Sequence, residues 1–164
     1  MTRADFILDV VKEFTPTYSN AVPVRGALQV VAGKLYDALN PPVTILTDNK
    51  TLTADDSNGV FGIGTDAKII TLPATQAGLK FTFVNTGANG NNIVSVSPQS
   101  TDGISGTITL ASTVVVDAGV VGKDVINTKA TAKTGDSITL IGTGVTGTTA
   151  WVIVGSTGIW SAEA

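Results

Sequence analysis

Leu79-Lys80-Phe81-Thr82-Phe83-Val84 sets large apolar side chains at every second position. In an extended chain successive side chains point to opposite faces, so Leu79, Phe81 and Phe83 share one face and Lys80 and Thr82 the other. A strand with one buried face follows. Working outward from it, the same chemistry recurs in short β-branched runs: Val43 to Thr47, Gly59 to Ile63, Lys68 to Leu72, Asn92 to Val96, Thr107 to Leu110, Thr113 to Val116, Ser137 to Ile141 and Ala150 to Val154. Turn residues separate them. Their close spacing predicts antiparallel pairing, because parallel neighbours need a crossover of about a dozen residues, usually helical, and no helix-period segment of that length occurs after Leu39. The expected fold is mainly β: an antiparallel β-barrel or sandwich, jelly-roll-like, over residues 43–164, preceded by an N-terminal helical arm over residues 1–42.

In that arm Phe6, Ile7, Val10, Val11 and Phe14 recur at three- and four-residue steps, and Thr2 with Asp5 can form a capping box, so a short amphipathic helix is expected. Pro16 stops it. The stripe either covers the β-core or docks on a partner. Val24, Ala27, Leu28, Val31, Leu35, Ala38 and Leu39 fit a second helical stripe ending before Asn40-Pro41-Pro42. The same segment also reads as a hairpin turning at Ala32-Gly33, since Gly26 and Gly33 weaken a helix. Asp9, Lys12 and Glu13 interrupt any secretory apolar stretch.

The chain has 164 residues, which suits one domain with a short extension. It contains no histidine and no cysteine, which removes the commonest general base, the thiol nucleophile and the usual transition-metal ligands. No cofactor is implied, and enzymatic function is not expected. Ten Lys and Arg are scattered from Arg3 to Lys133 at a net charge of -3, which provides no footprint for nucleic acid. No apolar run approaches the roughly 20 residues that span a bilayer, so no membrane partner is expected. Charged residues make up 14%, leaving a surface rich in Thr, Ser, Asn and Gly. Such a surface either packs against neighbouring subunits, having few long charged side chains to immobilise, or simply forms the polar face of a β-domain.

The chemical motifs dissolve on inspection. Gly142-Thr143-Gly144-Val145-Thr146-Gly147 matches G-x-G-x-x-G after a strand, but a phosphate site needs a helix to follow, and Thr148 to Val154 reads as another strand. A hairpin turn is expected there, and the same reading covers Gly62-Ile63-Gly64. Asp55-Asp56-Ser57-Asn58-Gly59 concentrates oxygen ligands without the spacing of a calcium loop, and a turn is favoured. Asn85-Thr86-Gly87-Ala88-Asn89-Gly90-Asn91 reads as a turn or exposed tip. Trp151 and Ile153 oppose Ala150, Val152 and Val154, so that strand is apolar on both faces, as for one in the middle of a sheet or at a subunit contact. Three Ile-Thr-Leu triads, beginning at Ile70, Ile108 and Ile138, are too unevenly spaced for a solenoid or propeller repeat.

Ile70-Thr71-Leu72-Pro73-Ala74 with Gly78 to Ala88 resembles a pattern in virion structural proteins of tailed bacteriophages, and Gly135 to Leu140 followed by Trp151-Val152-Ile153 is similar to their closing strands. The helical leader fits a capsid decoration or cement protein of that group better than a fibre. The resemblance implies homotrimers on the outer capsid surface of the virion, with the major capsid protein as partner and an N-terminal arm, bearing Phe6, Ile7, Val10, Val11 and Phe14, against the shell. A receptor- or glycan-binding module of a tail or head fibre is the alternative.

Overall fold

The computed structural model describes residues 43–90, 92–110 and 113–163, together with Ala32, Leu35 and Tyr36, which have helical backbone. The chain divides into two units, Met1–Pro42 and Val43–Ala164. All the strands described belong to the second: β1 (Val43–Leu46), β2 (Lys50–Thr51), β3 (Val60–Ile63), β4 (Lys68–Thr71), β5 (Lys80–Asn85), β6 (Val94–Ser97), β7 (Asp102–Thr109), β8 (Val114–Asp117), β9 (Val125–Asn127), β10 (Ser137–Gly142), β11 (Gly147–Thr157) and β12 (Ser161–Ala162). Each β-branched run read from the sequence is one of these strands. The three it did not mark, β2, β9 and β12, are two or three residues long, too short for alternation to be seen.

Two sheets form: a large one of seven strands in the order β1-β3-β5-β10-β11-β7-β8, and a small one of five in the order β12-β9-β6-β4-β2. Both are mixed, which corrects the expected antiparallel barrel or jelly roll. β1, β3 and β5 run parallel, as do β2, β4 and β6, and β11 is parallel to β7. The crossover that parallel pairing demands is present, but a strand supplies it. From β1 to β6 the chain alternates between the sheets, so each connection within one sheet passes through a strand of the other. The first six strands therefore wind like the rungs of a short solenoid. The triads do not mark those rungs, since they fall in β4, at the end of β7 and in β10.

Inward side chains of both sheets merge into one core. Phe61, Phe81, Phe83, Ile104, Ile138, Leu140 and Trp151 of the large sheet join Ile70, Val94, Val96 and Val125 of the small one, with Trp160 beside them. Phe81 and Phe83 are fully buried while Lys80 is exposed and Thr82 half-buried, so the alternation read in this segment holds. Phe61 stacks on Phe83 with centroids 5.8 Å apart, and Phe81 meets Trp151 at 5.6 Å in a tilted pair. Aromatic pairs of this kind add about 0.5–1.5 kcal/mol beyond their burial. β11 lies between β10 and β7 with Trp151 and Ile153 in the core, Val152 half-buried and Val154 exposed on the other face. It is a middle strand.

Polar side chains pin the two sheets together around Asn85, at the end of β5. Asn85 Nδ2 donates to Asn127 Oδ1 at 2.6 Å, Asn92 Nδ2 to Asn85 Oδ1 at 2.9 Å, and Asn127 Nδ2 to Asp136 Oδ2 at 2.9 Å. All four are buried. The segment from Asn85 is thus more than a surface tip: Thr86, Ala88, Asn89 and Gly90 are exposed, but Asn85 and Gly87 are inside. Gly158 lies against this network with φ +79, and a Cβ there would sit 2.0 Å from Asp136 Oδ1, so only glycine fits.

Candidate interaction surface

Burial of alternate residues leaves the opposite row of each strand on the outer face of the sandwich. Across the large sheet, ladder partners place Val43, Val60, Thr82 and Thr139 in one row and Lys80, Ile141, Val152 and Ser105 in another. Thr82 and Thr139 bridge neighbouring strands through their hydroxyls, 3.0 Å apart. Val43 and Ile45 cover Gly62, where an added Cβ would meet Ile45 Cδ1 at 2.8 Å. The strands of this sheet contain only three charged residues, Lys80, Asp102 and Asp117. Asp102 is fully buried and accepts from the Thr75 N–H at 2.9 Å. Asp117 is half-buried and turns back to the Gly119 N–H at 2.9 Å. Lys80 alone puts an exposed charge on the outer face.

Both edge strands of this sheet end in open apolar side chains. Val43 and Ile45 on β1 are 60% and 61% exposed, and Val114 and Val116 on β8 are 62% and 79% exposed. Val115, between them, packs against the core. Edges normally carry lysine, proline, a bulge or very short strands, because their unpaired N–H and C=O groups otherwise recruit another strand. Neither lysine nor proline stands within β1 or β8, and the one charge on them is Asp117, half-buried and turned back to the Gly119 N–H.

The small sheet is guarded. Its edges β2 and β12 have two residues each, and ion pairs surround it: Lys50 with Asp56 at 3.4 Å, Lys123 with Glu163 at 4.0 Å, and Lys129 with Asp66. Burial pushes the Asp56 carboxyl up, but hydrogen bonds from the Thr53 backbone and hydroxyl, with Lys50 nearby, outweigh it and hold Asp56 below its ordinary 3.8. Asp66 is also lowered from 3.8, first by the hydrogen bond from Lys129 and then by the Ile93 N–H.

Other sequence candidates resolve into structure. Asp56 closes a 3-10 turn by accepting from Thr53 N at 2.8 Å, and no cluster of three or more acidic residues suited to a metal occurs among the described residues. Gly142 to Gly147 does turn β10 back into β11 as a hairpin. Gly62 instead lies inside β3, and Gly64 leads across to the other sheet, so a hairpin is not formed there. Phe6, Ile7, Val10, Val11 and Phe14 lie outside the described residues. The open edges were not singled out in the sequence, although both strands were. Their signal was the lack of any lysine or proline within Val43–Leu46 and Val114–Asp117.

The fold and surface define a two-layer mixed β-sandwich with one charge-poor outer face and two apolar edges that carry neither lysine nor proline. Comparison with family models, curated proteins and solved structures gives no match for this chain.

Proposed function

We propose that this chain is a non-enzymatic virion structural protein: a decoration protein that binds the outer surface of a tailed-phage head as a homotrimer and stabilises it by bridging major capsid subunits. The observation that carries the reading is the large sheet's outer face, where β-branched and hydroxyl side chains spread over seven strands with Lys80 as the one exposed charge. A surface of this kind loses little hydration and side-chain freedom when covered, which suits permanent contact with other protein. The segment resemblance described for Ile70 to Ala88 and Gly135 to Ile153 points to the same class. In this reading residues 1–42 form a helical arm that docks on the shell through Phe6, Ile7, Val10, Val11 and Phe14. Three linked contacts raise avidity without any single contact being strong.

Co-sedimentation with phage heads stripped of their decoration layer tests the proposal. The full chain pellets with the heads and raises their thermal disruption point, and Phe6→Glu with Val10→Glu abolishes pelleting while the β-type circular dichroism persists. Failure of the unaltered chain to pellet overturns the reading.

A further inference from the structure

The two apolar edges fit each other. We propose that β8 of one copy pairs antiparallel with β1 of the next, so that the large sheet continues from copy to copy; this rests on the homotrimer reading and specifies its interface. An edge strand offers a row of unpaired N–H and C=O groups, and the chemistry that satisfies them is another strand's backbone. The partner strand follows from the topology. Through the ladders of the sheet, β8 runs opposite to β1: β1, β3 and β5 share one direction, β10 reverses it, β11 and β7 restore it, and β8 reverses it again. When a second copy continues the sheet with its outer face on the same side, its β1 must run antiparallel to β8.

Side-chain parity then selects the register. Val43 and Ile45 lie on the outer face, as do Val114 and Val116, whereas Val115 turns to the core. Setting Val43 opposite Val116 and Ile45 opposite Val114 keeps outward residues with outward residues and places Thr44 opposite Val115. Each strand has four residues, and in this register three of each stand opposite one another, with Leu46 and Asp117 extending past the overlap at its two ends. In this register no charged side chain of one strand faces a charged side chain of the other, so nothing repels the approach. β-branched side chains fit the pleated, half-buried surface that such a seam creates. The contact joins different patches on the two copies, the heterologous kind that closes into a ring where the rotation between copies is a whole fraction of a turn and otherwise runs on as a filament.

The native chain has no cysteine, so introduced thiols report the seam without background. Cβ atoms directly opposite across strands lie about 4.5–5.5 Å apart, within small adjustments of disulfide reach. Full-length chains carrying Val43→Cys with Val116→Cys, or Ile45→Cys with Val114→Cys, are oxidised and run on a denaturing gel without reductant. The expected product is a covalent trimer from at least one in-phase pair. Thr44→Cys with Val116→Cys, which puts the thiols on opposite faces, stays unlinked, and so do the single-cysteine chains. A wild-type trimer by light scattering, with no in-phase linkage, overturns the seam and leaves the trimer. A ladder of open oligomers upholds the seam and overturns the trimer. Equal linkage in the opposite-face pair, or a wild-type monomer at about 100 µM, overturns the seam.

Discussion

The two sheets of this sandwich share one core and present opposite exteriors. The small sheet exposes Ile69 but keeps its edges to two residues and rings them with Lys50, Asp56, Asp66, Lys123, Lys129 and Glu163. The large sheet carries valine and isoleucine to both edges and puts one exposed charge on its outer face. Hydrophobic burial does not explain the difference, since the inner faces of both sheets join one core. What differs is the protection against a further strand: two-residue edges and ion pairs on the small sheet, four-residue edges with exposed valine and isoleucine on the large one. The proposed contact with other chains rests on this difference between the two exteriors.

The strongest challenge to this comparison is the shared core. Phe83→Ala removes a fully buried ring stacked on Phe61 and is expected to lower unfolding stability by about 3–5 kcal/mol. Thr82→Ala, on the outer face, loses one hydroxyl contact and should cost about 1 kcal/mol or less. Urea melts of both variants decide it, and a Thr82 effect equal to that of Phe83 would break the assignment of inner and outer faces.

Next in size is the polar fastening between the sheets. Asn127→Ala removes the hydrogen bonds to Asn85 Nδ2, Asp136 Oδ2 and the Ile159 carbonyl in a site closed to solvent, leaving Asp136 Oδ2 only the Lys133 N–H and Asn85 Nδ2 only a 3.4 Å bond to the Asn92 carbonyl. A loss of about 1–3 kcal/mol is expected, since removing one member of a buried polar network weakens the hydrogen bonding of every group it joined. Denaturant midpoints measure it. A neutral result would mean that packing alone holds the sheets in register.

Charge placed on each exterior sharpens the contrast without touching the core. Val116→Lys and Ile69→Lys both alter exposed positions, so each is expected to move stability by no more than about 0.5 kcal/mol. Light scattering should separate them: Val116→Lys yields monomers, whereas Ile69→Lys leaves the oligomer intact. Equal behaviour of the two would erase the functional distinction between the sheets.

The smallest effect concerns the ion pair of Asp66 and Lys129. The Asp66 carboxyl is lowered from 3.8 in the folded chain, so its contribution is present above that value and fades as pH falls through the folded pKa. Melting curves of Lys129→Met should therefore lie slightly below wild type at neutral pH and converge with it in strong acid. A gap that persists at low pH would assign the effect to packing of the lysine stem instead of its charge.

Much of the fold was legible in the chain. The alternation in Leu79 to Val84 located the core face, because side-chain direction in a strand depends only on position. The β-branched runs located every longer strand for the same local reason. Pairing was not legible. β1 and β3 lie side by side and parallel, yet Val43 to Leu46 and Val60 to Ile63 would read identically in an antiparallel hairpin. The usual clue to parallel order is a helical crossover, and here a strand of the other sheet takes its place. The buried role of Asn85 was equally hidden, since an Asn-Gly-rich stretch has the same composition in an exposed turn as beside a polar network.

The sequence by itself determined that the chain is built from short strands with one apolar face, that no histidine or cysteine chemistry is available to it, and that its charge is sparse. These are properties of residues and of their nearest neighbours along the chain. Only the tertiary structure decided which strands became edges, because strand order joins residues distant in sequence, such as Ile104 beside Trp151. That order turned Val43, Ile45, Val114 and Val116 from ordinary strand valines and isoleucines into two open margins of one sheet. The same four side chains in middle strands would have lain among neighbours on both sides, where the backbone hydrogen bonds are already made and no further strand can add.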